Sequence, residues 1–279
     1  MSGSTDLLNL RTFCVITGAS KGLGKGIALK FAGCFAGNSH LLLLSRDIGL
    51  LEETKELICS KHSKIRVTLK SVDLSKQDGN NFSRILNDAL GEYPDSKKEF
   101  EQAMLIHNAG SVGNIGKWTY EMEDMDEWRQ YFELNLNSVV CLNSVFLKIF
   151  PKDDPIQRTV INITSLAALH PFKSWGYYCI GKAARDMFFR VLASEDPSLR
   201  VLSYAPGPLK TDMTIKIREE SADNEVRQWM KAAYDEGKLL EVAYTVDCLI
   251  LILKLNKFKN GDHVDVEDLE DSRRKSISA

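Results

Sequence analysis

The sequence predicts an α/β fold, a single doubly wound domain in which a parallel sheet is flanked by helices. Three observations predict it. Short apolar, β-branched runs recur from near the start of the chain to near its end, amphipathic segments of about ten to twenty residues separate them, and no Pro/Gly/Ser-rich linker breaks the alternation.

The candidate strands are Phe13–Thr17, His40–Ser45, Arg66–Ser71, Met104–Asn108, Thr159–Thr164 and Arg200–Ala205. The stretch LNLNSVVCLNSVF, residues 134–146, repeats at helical spacing and reads as a buried helix face. Residues 1–10 form an N-terminal extension, 11–268 the domain, and 269–279 a charged, polar tail expected to be disordered. Within that tail, Arg273-Arg274-Lys275-Ser276 has the form of a basic-directed phosphorylation site, although a solvated chain end is the favoured reading.

Composition excludes several classes of function. With 279 residues, 44% hydrophobic and 27% charged, the chain has enough apolar material for a substantial core. Its 36 Lys plus Arg against 38 Asp plus Glu leave a net charge of -2, so no basic field gathers nucleic acid. The longest apolar runs fall far below the ~18 to 20 residues of a membrane span. The N-terminus lacks a basic segment followed by an apolar one, so a cytoplasmic address is expected. Six cysteines without a CxxC pair are expected to be reduced and buried, and the five histidines show no metal-ligating cluster.

After the first candidate strand comes Thr17-Gly18-Ala19-Ser20-Lys21-Gly22-Leu23-Gly24, then a helical pattern. Glycines at a strand-to-helix turn let a pyrophosphate approach the backbone, and the unpaired N–H groups of the following helix favour the anion. In an alternating chain this position predicts a dinucleotide site of the Rossmann type. At the end of the second strand, an acidic residue would bind a bare ribose, but the chain offers Ser45-Arg46. Arg46, with Lys21, could pair with a 2′-phosphate, which favours NADPH over NADH. Asp47 follows directly and argues the other way.

Tyr178 and Lys182 stand four residues apart, on one face of a helix. Lowering a phenol from ~10 to near neutrality takes roughly 4 kcal/mol. One cation about 4 Å away at an effective dielectric of about 20 supplies ~4 kcal/mol. Tyr177 has Gly181 in the corresponding place, so the spacing selects Tyr178. Ser165, at the end of a candidate strand, could polarise a substrate carbonyl; Thr164 competes for that role, and strand alternation suggests only one of the two serves.

With these motifs in order, the chain resembles the short-chain dehydrogenase/reductase family: Thr17-Gly18-x-x-x-Gly22-x-Gly24, Asn108-Ala109-Gly110, Asn135, Ser165, Tyr178-x-x-x-Lys182 and Pro206-Gly207 match its pattern from about Phe13 to Asp265. The resemblance implies NADPH-dependent hydride transfer to a carbonyl. It makes Tyr178 the general acid, has Ser165 orient the carbonyl oxygen, and has Lys182 hold the ribose while depressing the tyrosine pKa. It also implies that Asn135 holds a water in the proton relay, that Asp73 and Leu74 line the adenine, and that Leu209, Thr211, Met213 and Thr214 cover the nicotinamide. His107 departs from the family, which commonly has Asn there, and is taken as a tolerated substitution at a strand end.

The stretches 171–187, 204–209 and 261–265 further resemble family members that act on pterins. That implies reduction of a pterin side-chain ketone, with Ser165, Leu166 and Gly207 at the substrate and Asp265 accepting the ring donors. A planar donor pair suits a carboxylate, although Asp265 could equally be one solvated acid among Asp262, Glu267 and Asp268. The family implies a homodimer through the helix at 135–150 and the one carrying Tyr178. A broad carbonyl reductase is the alternative within the family, and a noncatalytic NADP(H)-sensing protein the alternative outside enzymes.

Overall fold

The computed structural model describes residues 6–91 and 99–268. Seven strands form one sheet in the order β3-β2-β1-β4-β5-β6-β7, every neighbouring pair parallel. They are β1 (Thr12–Thr17), β2 (His40–Ser45), β3 (Arg66–Ser71), β4 (Gln102–His107), β5 (Gln157–Ile163), β6 (Arg200–Ala205) and β7 (His263–Asp265). The six sequence candidates all appear, three of them with ends shifted by one or two residues. The seventh is an addition: three residues at an edge are too short to show a period.

Nine α-helices are present among the described residues: α1 (Gly22–Ala32), α2 (Ile48–Lys61), α3 (Gly79–Gly91), α4 (Met125–Phe132), α5 (Ser138–Ile149), α6 (Gly176–Glu195), α7 (Asp212–Glu220), α8 (Asn224–Asp235) and α9 (Val242–Leu255). Alternate residues of the central strand point to opposite faces. Cys14 and Ile16 pack with Ile27, Phe31, Leu249 and Leu253 of α1 and α9. Phe13 and Val15 pack with Phe82, Phe146 and Phe189 of α3, α5 and α6. Helices cover both faces, so β1 is buried throughout.

The stretch 134–146 is the buried helix face the periodicity predicts, interrupted at its start by a π-turn over Glu133–Asn137. Two expectations change. Leu7 and Leu8 of the expected N-terminal extension belong to the core, and the Leu7 N–H donates to the Leu253 oxygen at 3.3 Å. Of the six cysteines, all free thiols, only Cys14 and Cys248 are buried; Cys59 is exposed on the outer side of α2. The tail at 269–279, with its basic motif, lies outside the described residues.

Candidate active site

The sheet's order reverses between β1 and β4, and the residues singled out in the sequence gather at the carboxyl ends of the strands beside that point, where open α/β sheets bind ligands. Thr17 ties the two strand ends together: its hydroxyl oxygen accepts from the N–H groups of Asn108 and Ala109, both at 3.0 Å. Asn108 Nδ2 returns hydrogen bonds to the oxygens of Thr17 and Gly18 at 2.9 and 3.2 Å.

The glycine loop is folded too tightly for side chains. A Cβ on Gly24 would lie 2.2 Å from the Gly18 oxygen, and Gly18 and Gly22 have φ of +67° and +53°, where glycine is favoured. No side chain caps α1 at Lys21, so its first-turn N–H groups face the cleft. Beside the loop, the Ser45 hydroxyl donates to Ser20 Oγ at 2.8 Å. Arg46 is exposed at the same mouth. Asp47, which argued against a 2′-phosphate, caps α2 by accepting from the Leu50 N–H at 3.0 Å. Lys21 forms an exposed ion pair with Asp212 at 2.5 Å.

Asp73 follows β3. It accepts hydrogen bonds from the hydroxyl and N–H of Ser75, which hold its carboxyl below the usual range, while Leu74 is buried. The segment after β6 closes over the glycine loop. A Cβ on Gly22 would sit 3.7 Å from the Thr211 methyl, while Leu209 packs into the core and Met213 packs beside Tyr178. The Thr214 hydroxyl donates to the Leu209 oxygen at 2.7 Å, so Thr214 braces this cover from inside.

Tyr178, Lys182, Arg185 and Asp186 form one buried stripe on α6. Lys182 Nζ lies 5.5 Å from the centroid of the Tyr178 ring and donates to the Ile163 oxygen at 2.6 Å. Burial lowers its pKa well below the ordinary lysine value, with nearby Arg185 adding to the effect. Burial also raises the Tyr178 phenol, against the Ser165 hydroxyl hydrogen-bonded to it and the Arg185 charge, which both lower it. The single-lysine arithmetic is therefore incomplete, because the cation it invoked is itself desolvated and a second one stands behind it.

Between the two competing hydroxyls the structure is selective. Ser165 is part-exposed and caps the turn at Leu166–Ala168, accepting from the Ala167 N–H at 3.2 Å; Thr164 is buried. Tyr177 points away and donates to Glu127 at 3.1 Å. A side chain on Gly181 would strike the Tyr131 hydroxyl, which gives that glycine its reason.

The structure adds detail at four expected positions. Asn135 uses both ends of its amide on backbone, accepting from the Ser111 N–H at 2.8 Å and donating to the Tyr131 oxygen at 2.9 Å. Its side chain therefore orders the wall beside Gly110. Gly207 has φ of +75°, and a Cβ there would meet Leu240 and Val266 at 2.9 Å, so packing also requires this glycine. Leu166 is exposed on the rim. His107, read as a tolerated strand-end residue, is fully buried against Phe189, and burial lowers its pKa to about 3.

Sequence reasoning missed the polar layer beneath the site. Arg185 donates to Asn162 Oδ1 at 2.9 Å and to the oxygens of His107 and Ala109 at 2.8 and 3.2 Å. Asn162 Nδ2 donates to Asp186 at 3.0 Å, and His263 Nδ1 donates to the other Asp186 oxygen at 2.5 Å. The available signal was two charged residues three and four positions after Lys182, on the helix face that Tyr178 assigns to the interior.

A family model described as short chain dehydrogenase matches residues 12–222. The chain belongs to the short-chain dehydrogenase family. Among curated relatives it is 41% identical to sepiapterin reductase of Rattus norvegicus over 92% of this chain and 96% of the relative. It is 31% identical to benzil reductase ((S)-benzoin forming) of Bacillus subtilis (strain 168), over 91% and 98%. A short chain dehydrogenase of Shigella flexneri 2a str. 301 solved in complex with NADP superposes with a TM-score of 0.73 at 23% identity, covering 94% of this chain and 99% of that one. As a family member similar to sepiapterin reductases, the chain is an oxidoreductase acting on CH–OH and C=O groups. Its family motifs are the parts that converge at one end of the sheet.

Proposed function

We infer that this chain reduces the side-chain ketone of a pterin with NADPH. The observation that carries the reading is the meeting of Tyr178 and Ser165 with the glycine cradle at one strand edge, in a chain similar to sepiapterin reductases. The cradle fits a dinucleotide by its own geometry: an uncapped helix start, glycines without room for Cβ, and Arg46 beside Ser20 and Ser45 for a 2′-phosphate. Bound there, NADPH supplies a hydride to the carbonyl carbon.

The chain's residues do the rest. The Ser165 hydroxyl orients the carbonyl oxygen, and Tyr178 Oη gives its proton to that oxygen as charge develops. Burial keeps the phenol protonated at neutral pH, the state a donor needs. Arg185 provides positive charge behind the ring, favouring the phenolate left after transfer, and Lys182 lies beside the ring with Nζ 5.5 Å from its centroid. Trp175 packs edge-on against Tyr178 at 5.8 Å, in an apolar cluster that also holds Met213 and Met230. Asp265, half-buried at the end of β7, is the acceptor for the pterin's ring donors.

The same reading carries a homodimer, supported by the exposed stripe of Ile180, Met187 and Val191 on α6, and a cytoplasmic address. No helix among the described residues is long and apolar enough to cross a membrane. The deciding experiment follows NADPH oxidation with sepiapterin and the purified chain; absence of turnover removes the pterin reading. The likeness to benzil reductase favours a second reading, broad reduction of diketones, and equal kcat/KM for benzil and sepiapterin would establish that instead.

A further inference from the structure

We propose that His263 and Asp186 form a clamp that positions the substrate-gripping carboxylate of Asp265 relative to Tyr178. The inference rests on the reading of Asp265 as the pterin acceptor and adds the device that sets its place.

β7 has only three residues and lies at the edge of the sheet, paired on one side through Ser203–His263, Tyr204–Val264 and Ala205–Asp265. So short a ladder needs further anchors: upstream, the Gly261 N–H donates to the Val201 oxygen and Asn260 Nδ2 to the Leu199 oxygen, both at 2.9 Å, and within the strand the side chains of Val264 and His263 hold the two faces. Alternation sends Val264 to the face covered by α1 and α9, where it packs on that core, and sends His263 and Asp265 to the face covered by α6. There His263 Nδ1 donates to Asp186 Oδ2 at 2.5 Å, while the other carboxylate oxygen is fixed by Asn162. His263 Nε2 is buried with no hydrogen-bond partner among the described residues, so the ring's polar anchor is Asp186. Just upstream, Gly261 at φ +80° lies so close to α6 that a Cβ would come 2.8 Å from the Ala193 methyl.

The spacing then acts as a ruler. Asp186 and Tyr178 are eight residues apart on one helix face, ~12 Å along the axis. From His263, two residues of strand carry the chain ~7 Å toward the same sheet edge and end at Asp265. The carboxylate that would hold the pterin ring and the phenol that would protonate its side chain are thus measured from one hydrogen bond. His263 and Asp186 are positioning residues, acting through Asp265.

The test uses the full chain with NADPH. His263→Leu is expected to raise KM for sepiapterin about tenfold, the scale of losing one hydrogen bond to a charged group. The NADPH dissociation constant and the kinetics with benzil, which lacks ring donors, stay within about twofold. His263→Asn keeps a donor near the Nδ1 position and restores KM, whereas His263→Gln moves the donor outward and does not; this pair carries the test if the Leu variant fails to fold. In an Asp265→Asn background the His263→Leu effect on KM disappears, because the two act in series. Equal losses with both ketones, an undiminished effect in that background, or wild-type KM in all three His263 variants overturns the clamp. If Asp265→Asn alone leaves sepiapterin kinetics unchanged, the pterin reading of Asp265 fails and the clamp fails with it. If Asp265→Asn weakens sepiapterin binding while the His263 variants do not, only the clamp fails.

Discussion

Lys182 Nζ donates to the main-chain oxygen of Ile163 at 2.6 Å, so the lysine of the Tyr-x-x-x-Lys pair ties α6 to the end of β5 two residues before Ser165. That bond fixes the register between Tyr178 and Ser165. Tyr178→Phe keeps the ring's packing against Trp175, whose centroid lies 5.8 Å away, and deletes only the proton. Turnover of a ketone is expected to fall by about 10² to 10⁴ with NADPH affinity unchanged, as read by steady-state kinetics and a binding titration. A near-wild-type kcat would place the donor elsewhere.

Arg46 stands exposed at the mouth of the glycine loop while Asp47 is occupied at the start of α2. Arg46→Ala is expected to raise KM for NADPH roughly 10- to 100-fold, the range of a lost charge-assisted hydrogen bond, and to leave KM for NADH nearly unchanged. An equal change for both cofactors would remove Arg46 from the 2′-phosphate site.

Gly24 allows no replacement, because its missing Cβ would lie 2.2 Å from a backbone oxygen that no rotamer change can move. Gly24→Ala is expected to abolish the rise in thermal midpoint that NADPH gives the native chain. The measurement is a pair of melting curves, with and without the dinucleotide, and a full NADPH-induced shift in the variant would refute the cradle.

His107 links stability to pH. Its folded-state pKa is lowered by burial, and further by Arg185, to about 3 from 6.5. Between those values the unfolded chain binds a proton that the folded chain does not, so stability is lost as pH falls through that window. His107→Asn is expected to remove about 1.4 kcal/mol per pH unit from the slope of unfolding free energy there. Urea unfolding of both proteins at several pH values reads the difference, and parallel slopes would count against it.

The strands, the glycine cradle and the Tyr178–Lys182 pair were legible because each is written in local order: alternation, a turn that requires glycine, and a four-residue spacing that one helical turn brings together. Local order also carried the choice of Tyr178 over Tyr177. Arg185, Asn162, Asp186 and His263 were not legible, since their partners lie 23 to 78 positions away and charged residues on a helix read as solvated until the packing places them inside. The same holds for Gly207, whose glycine answers to Leu240 and Val266, and for Lys21, drawn to Asp212 across 191 positions.

The sequence by itself determined an alternating α/β chain with a dinucleotide turn and a tyrosine–lysine pair, because backbone periodicity and steric demand at glycine act between near neighbours. Only the tertiary structure decided which charges lie buried beneath that pair, which hydroxyl reaches the phenol, and how β7 is hung from α6. Those choices depend on desolvation and on hydrogen bonds between segments that meet only when the sheet has formed.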